Sequence, residues 1–197
     1  MLFSFSTLIV TLLLGGGVDQ ISSGANAKPS PSSTPHLSFM SEPPVTEVQV
    51  GDPAPNFSYQ GFDGRWMRLH HLVDQGPVLL VFGLNDHQLG TLERERDALL
   101  GLGVIPVAVL DRKPGQARDL VRRLDLKYTV LADSRLVIAS QFNADNLDRV
   151  TPSWFVIDAR LRVRSLSRGR TPPDDYVRLC ARALALPIPG NLIPASR

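Results

Sequence analysis

Residues 78–82 read Val-Leu-Leu-Val-Phe, an unbroken apolar run that directly follows Gly76 and Pro77. A strand that is covered on both faces needs such a run, because all of its side chains are buried. The next segment, from Thr91 to Leu102, carries charged residues on one side and leucines on the other, at helical spacing. The pattern predicts a buried strand followed by an amphipathic helix.

The same alternation of strand and helix continues along the chain. Residues 104–110 are predicted to form a second buried strand, and residues 114–126 a second amphipathic helix with Pro114 in its first turn. Residues 129–131 are short and extended, and residues 135–142 fit a third, shorter helix. Two strand-helix units in succession favour a sheet whose first strands run parallel.

The carboxyl-terminal part of the domain predicts a hairpin and a closing helix. Residues 154–157 are apolar, and residues 162–166 alternate between charged and apolar side chains, as a half-exposed hairpin partner would. Thr171 is a candidate helix cap, residues 174–186 fit the helix, and Pro187 ends it. The complete pattern predicts an α/β fold, with a central mixed sheet flanked by helices on both faces.

Three short motifs lie in order along this framework. Residues 50–57 read Val-Gly-Asp-Pro-Ala-Pro-Asn-Phe, residues 62–64 read Phe-Asp-Gly and are followed by Arg68, Leu69 and Leu72, and residues 151–158 read Thr-Pro-Ser-Trp-Phe-Val-Ile-Asp. Together they resemble the peroxiredoxin or redoxin family, the alkyl hydroperoxide reductases and thiol-specific antioxidants, and also exported thioredoxin-like thiol reductases. The resemblance covers residues 48–186 and implies a thioredoxin-like fold.

The resemblance also implies where a catalytic cysteine would lie. Peroxiredoxins place it in the first helical turn after the first buried strand, in the pattern Thr-x-x-Cys-Thr-x-Glu. This chain reads His-Gln-Leu-Gly-Thr-Leu-Glu from His87 to Glu93. Thr91 and Glu93 match the pattern, His87 replaces the first threonine, and Gly90 stands in the cysteine's place. The resemblance therefore implies a degenerate active site without the peroxidatic cysteine.

Pro152 is the remaining position of this degenerate site. Many peroxiredoxins carry an arginine there that polarises peroxide, so a second catalytic group is missing. The thioredoxin fold usually has a cis proline beside the redox cysteine, and the resemblance implies a cis bond between Thr151 and Pro152. A proline that opens a strand donates no ladder hydrogen bond. The backbone groups beside it therefore stay available to a partner.

The single cysteine, Cys180, lies in the predicted closing helix beside Leu179 and Ala183. One thiol closes no internal disulfide, and the chain has no Cys-x-x-Cys pair. A cysteine on an apolar helix face behaves as a small buried hydrophobe with a raised pKa. The alternative is that Cys180, or a partner's thiols, supports antioxidant oxidoreductase activity.

Other candidate ligand sites are weaker. His87 follows Asn85 and Asp86 in a predicted polar loop, but no second histidine has ligand spacing to it. Metal sites need three or four converging ligands, so neither a metal nor another cofactor is expected. An anion at the amino end of the predicted Thr91 helix, beside Gly90, is a further alternative. Another alternative is an anion bound at a basic cluster formed by Arg164, Arg168 and Arg170. Charges that protect an edge strand from pairing explain this cluster equally well.

The amino terminus predicts a targeting segment. Residues 2–14 are apolar, and Ala25-Asn26-Ala27 fits a signal-peptidase site, so residues 1–27 read as a signal peptide or an anchor. Residues 28–47 are rich in proline and serine and read as a flexible linker. Export to a periplasm, a lumen or the outside is expected, with membrane attachment only if the segment is uncleaved. A start at Met40 would instead leave the protein cytoplasmic.

Composition narrows the remaining function classes. The chain has 197 residues, 43% of them hydrophobic and 20% charged, and a net charge of +2. This composition excludes a polytopic membrane protein and gives no support to nucleic-acid binding. The sequence predicts a domain at residues 48–186 and a tail at residues 187–197. It favours a non-catalytic domain that binds a protein or peptide partner in the former active-site groove.

Overall fold

The computed structural model describes residues 47–61 and 64–187. Its elements are, in chain order, β1 (Ser58–Gln60), β2 (Trp66–Arg68), α1 (Leu69–Val73), β3 (Val78–Phe82), α2 (Asp86–Gly101), β4 (Ile105–Leu110), α3 (Pro114–Arg123), β5 (Thr129–Ala132), α4 (Val137–Gln141), β6 (Asp145–Asn146), β7 (Arg149–Val150), β8 (Ser153–Ile157), β9 (Val163–Arg168) and α5 (Tyr176–Leu184).

A five-stranded sheet in the order β5-β4-β3-β8-β9 forms the centre of the fold. Strands β3, β4 and β5 are parallel, while β8 runs antiparallel to both β3 and β9. All five residues of β3 are buried. On this strand Leu80 lies opposite Val107 of β4 and Phe155 of β8. The predicted mixed sheet is confirmed.

Helices cover both faces of this sheet. Leu80 and Phe82 of β3 belong to one hydrophobic cluster, which also contains Ile138 of α4 and residues of α1. Leu79 and Val81 belong to a second cluster, which contains buried residues of α2, α3 and α5. The alternation of β3 side chains between two clusters follows from strand geometry. The predicted arrangement of helices on both faces of the central sheet is therefore confirmed.

The first motif of the sequence runs beside the start of β9. Gly51 N donates to Val163 O at 2.8 Å, Val163 N donates to Asp52 O at 3.0 Å, and Ala54 N donates to Leu161 O at 2.7 Å. These backbone bonds extend the sheet edge locally. They hold the first motif against β9, and Val48, just before this motif, is buried.

Two helices begin at other residues than predicted. α2 starts at Asp86 and not at Thr91, because Asn85 and Gln88 form a reciprocal capping box. α5 starts at Tyr176 after Asp175, whose side chain accepts a hydrogen bond from the Arg178 backbone N–H at 2.9 Å. The predicted cap at Thr171 is therefore wrong, since a carboxylate adjacent to the helix takes that role.

Several sequence predictions concern segments outside the described residues. The signal peptide or anchor (1–27), nearly all of the linker (28–47) and the tail beyond Pro187 are among them and stay predictions. Phe62 and Asp63 are also outside, and β1 and β2 pair as antiparallel strands on either side of them. Within the described ranges, no helix is long and apolar enough to cross a membrane.

Candidate active-site region

The turn between β3 and α2 contains the residue that caps the amino end of α2. Gln88 N donates to Asn85 Oδ1 at 3.0 Å, and Asn85 N donates to Gln88 Oε1 at 2.9 Å. Gln88 is buried, whereas Asn85 and His87 are exposed. His87 is thus the second residue of α2 and faces solvent at the positive end of the helix dipole. It lies in a helix, not in the predicted loop.

Gly90 lies one turn further into α2 than the sequence predicted. It is the fifth helical residue, and a β-carbon built on it would approach only the Arg94 Nη1 atom, at 3.8 Å. The alternative of an anion beside Gly90 assumed a helix that begins at Thr91, whereas α2 begins at Asp86 and the Gln88 N–H is bonded to Asn85. Among the positions matched to the family pattern, His87 is the one in the first turn.

Thr91 bonds within α2, and Glu93 links α2 to the segment after α3. The Thr91 hydroxyl donates to His87 O at 3.1 Å and accepts from Arg94 Nη2 at 2.8 Å. Glu93 Oε2 accepts the backbone N–H of Lys127 at 2.8 Å. Both side chains form hydrogen bonds within the protein. These bonds give Thr91 and Glu93 a structural role at the positions that match the family pattern.

Pro152 adjoins the β3–α2 turn. Gly83 of this turn has a φ of +65°, and a β-carbon built on it would lie 3.0 Å from Pro152 N. Glycine fits here because it tolerates a positive φ and has no β-carbon. No peptide bond in the described part of the chain is cis, so the predicted cis bond before Pro152 is wrong. Trans is the intrinsically favoured form by about 0.5–1 kcal/mol. The Thr151 N–H donates to Ala144 O at 2.8 Å, which attaches this segment to the chain just after α4.

Cys180 is completely buried in the core between α5 and the sheet. Burial, and to a smaller extent the nearby Glu95 carboxylate, raises the pKa of its thiol to about 12. Only the thiolate is a good nucleophile or metal ligand. The prediction of a buried thiol with a raised pKa is confirmed.

Glu95 joins α2 to α5 through a hydrogen bond that the sequence does not predict. Its Oε2 atom accepts the Val177 backbone N–H at 3.0 Å, close to the amino end of α5. Burial raises the pKa of Glu95, while hydrogen bonds from the Val177 and Tyr176 backbones act to lower it. No local pattern marks this carboxylate as a cap, because its partner helix lies more than eighty residues away along the chain.

The charged groups near the helix start are mutually paired. Asp86 Oδ2 lies 2.7 Å from Arg123 Nη2, and Asp86 Oδ1 lies 3.7 Å from Arg112 Nη2. Across residues 47–61 and 64–187, no group of three or more histidine, cysteine or acidic side chains is arranged to hold a metal ion. At this turn the exposed imidazole of His87 therefore lies next to Asp86, whose negative charge is paired with two arginines.

Arg168, from the predicted basic cluster, serves a structural role. Its Nη2 atom donates to Val48 O at 2.7 Å and its Nε atom donates to Phe142 O at 3.1 Å. Its guanidinium lies 5.2 Å from the centre of the Phe155 ring. Burial lowers the pKa of Arg168. Because its donors are engaged by backbone carbonyls, Arg168 does not extend the exposed charge of Arg164 and Arg170.

The family model described as the AhpC/TSA family matches residues 50–166, which is more than half of the chain. This chain belongs to the AhpC/TSA family. Among curated proteins, none matches the sequence. The match places the three sequence motifs, the β3–α2 turn and Pro152 within one AhpC/TSA domain.

Solved structures similar to this AhpC/TSA chain share its fold. Peroxidoxin BcpB from Mycobacterium tuberculosis has 19% identity and a TM-score of 0.64, over 71% of this chain and 97% of that chain. Reduced 2-Cys peroxiredoxin from Plasmodium vivax has 19% identity and a TM-score of 0.59, over 69% and 96%. A putative thiol:disulfide interchange protein DsbE from Chlorobium tepidum has 22% identity and a TM-score of 0.58, over 71% and 98%.

Proposed function

We propose that this chain is an AhpC/TSA-family domain with a degenerate active site, which binds a protein or peptide partner without catalysing thiol chemistry. The observation that carries the proposal is the position of its only thiol. Cys180 is fully buried in the helical core, and the first turn of α2 presents His87. The peroxidatic cysteine implied by the family resemblance is replaced by Gly90.

The acidity of Cys180 argues against thiol catalysis. With a pKa of about 12, about one thiol in 10⁵ is ionised at pH 7. The sulfur is also inaccessible, so a peroxide or a disulfide reaches it only when α5 separates from the core. Reaction through this residue would be limited by unfolding.

The partner surface in this proposal is the β3–α2 turn together with Pro152. Asn85 and His87 are exposed there and flank Asp86, whose charge is neutralised by arginines. Pro152 donates no backbone hydrogen bond, and Gly83 keeps the turn close to it. A protein or peptide segment would find exposed polar groups on a rigid support.

Export completes the proposal. The apolar segment at residues 2–14 and the small residues before Lys28 support delivery to a periplasm, a lumen or the outside. If the segment stays uncleaved, it would attach the domain to a membrane.

The second candidate function is a thiol-dependent antioxidant oxidoreductase, and membership of the AhpC/TSA family favours it. It would act through Cys180 or through the thiols of a partner. Peroxide consumption in the presence of a reducing thiol, by the purified full chain and by Cys180→Ser, separates the two functions. The binding proposal expects no turnover above the buffer in either protein. Turnover that disappears in Cys180→Ser would support the enzyme.

The partner surface has its own test. A photo-crosslinking amino acid placed at His87 in cells that make the protein should give one product of defined mass. The same amino acid at Arg122, which is exposed on α3, serves as the control. Equal products from both positions, or a product from the control alone, would contradict the placement of the partner surface.

A further inference from the structure

A groove with a volume of about 680 Å³ lies between α5 and the edge strand β9. Its apolar side is formed by Trp154, Leu179 and Ala183, which are partly buried and pack against the helical core. Sites for small molecules have volumes of about 300–1,000 Å³, and they combine apolar walls with a few polar groups. The groove has the size and the apolar wall of such a site.

The polar side of the groove is strongly basic. Three arginines line it, Arg164, Arg178 and Arg182, against one carboxylate, Asp175. Arg178 and Arg182 are four residues apart on α5 and therefore lie on the same face of the helix. Arg178 Nε lies 3.2 Å from Asp175 Oδ2, so this pair is neutral. With three arginines and one carboxylate, the residues that line the groove have a net charge of +2.

The remaining two guanidinium groups belong to exposed side chains. Arg164 Nη1 lies 3.8 Å from Asp158 Oδ2, which is longer than a hydrogen bond, so an anion in the groove would compete only with a loose ion pair. No ion pair in the described ranges involves Arg182. Guanidinium groups bind carboxylates and sulfonates through paired, charge-assisted hydrogen bonds.

We propose that this groove binds a small organic anion with a flat apolar body. The apolar body would pack on Trp154 and Leu179, since a tryptophan ring offers a large apolar surface. The anionic group would lie between Arg164 and Arg182. None of the groove residues belongs to the β3–α2 turn. The site is therefore independent of the proposed partner surface, and the two proposals fail separately.

The experiment compares two fluorescent probes that differ by one charged group. The first is 8-anilinonaphthalene-1-sulfonate, and the second is N-phenyl-1-naphthylamine, which has the same ring system without the sulfonate. The protein is the full chain with Trp66→Phe, which leaves Trp154 as its only tryptophan. Binding in the groove should quench the Trp154 emission, and the sulfonate probe should bind at least threefold more tightly than the neutral probe.

Variants then test which arginines hold the anion. Arg164→Gln and Arg182→Gln should each weaken binding of the sulfonate by about threefold, and both together by about tenfold, without changing the neutral probe. Arg122→Gln makes the same charge change on α3 and should have no effect. Both groove arginines are on the protein surface, so the single variants keep the core intact, and melting curves check this.

Three results would overturn the proposal. One is equal affinity for the charged and the neutral probe. Another is equal sulfonate affinity of Arg182→Gln and Arg122→Gln. The third is sulfonate binding that leaves the Trp154 emission unchanged, because the probe would then lie elsewhere.

Discussion

A cysteine introduced at the start of α2 tests which residue occupies the reactive position of the helix. Two variants are compared, His87→Cys and Gly90→Cys, each in a Cys180→Ser background so that one thiol is present. His87 is exposed and is the second residue of the helix, whereas Gly90 is half-buried and is the fifth. We expect the thiol at position 87 to be the more acidic of the two.

The magnitude follows from the helix dipole. A negative charge near a helix amino terminus is stabilised by about 0.3–1 kcal/mol, and the effect falls off within the first turn. Since 1.36 kcal/mol corresponds to one pKa unit, the pKa at position 87 should fall by about 0.2–0.7 below the ordinary cysteine value. Repulsion from Asp86 is offset by Arg123, whose Nη2 atom lies 2.7 Å from the carboxylate.

The assay is the rate of alkylation by iodoacetamide as a function of pH, followed by mass spectrometry. The midpoint of each rate profile gives the pKa of that thiol in the folded protein. A far-ultraviolet circular dichroism spectrum of each variant verifies that α2 is intact. A lower pKa at position 90 than at position 87 would refute the assignment of His87 to the first turn.

Two further substitutions test contacts that hold the domain together. Glu95→Ala should lower the free energy of unfolding by about 1 kcal/mol, because it removes the side-chain acceptor of the Val177 backbone N–H near the amino end of α5. The fold raises the pKa of Glu95, so the folded state binds its proton more tightly, and this residue's contribution to stability is largest below pH 4.5 and falls as pH rises through the raised pKa. The deficit of Glu95→Ala in urea unfolding should therefore be larger at pH 4 than at pH 7, and the opposite order would contradict the reasoning. Arg168→Ala should lower stability by about 2 kcal/mol, since two backbone carbonyls lose a charged donor. The exposed Arg170→Ala should change stability little, and equal losses in the two variants would count against the buried role of Arg168.

The sheet was predictable because its strands carry their own signal. Residues 78–82 are all apolar and all buried, and the same reasoning finds the buried parts of β4 and β8. Pro114 marks the start of α3, as predicted. Where a buried element also has a local sequence pattern, the sequence alone predicts the element and its position along the chain.

The start of α2 was missed although a signal for it exists. Asn85 followed by Gln88 has the spacing of a capping box, but the polar run around His87 suggested a loop. Moving the helix start to Asp86 moves Gly90 from the first turn to the second. The position that the family pattern gives to the cysteine therefore lies in the second turn of α2, while His87 lies in the first.

Other features depend on contacts that no local pattern contains. Glu95 caps a helix far along the chain, and Arg168 bonds carbonyls of Val48 and Phe142, which are also distant in sequence. The bond before Pro152 is trans although the resemblance implied cis. The groove between α5 and β9 combines side chains from a strand and a helix that are separated by a loop. These features required the folded structure.

Thiol-coupled consumption of hydrogen peroxide is the most direct test of a redox-silent AhpC/TSA domain. The purified full chain and its Cys180→Ser variant are measured side by side with the same reducing thiol. We predict no turnover above the buffer in either protein, because the only thiol of the chain is buried and has a pKa of about 12. Turnover by the wild-type protein that is lost in Cys180→Ser would contradict the proposed function and make Cys180 the nucleophile.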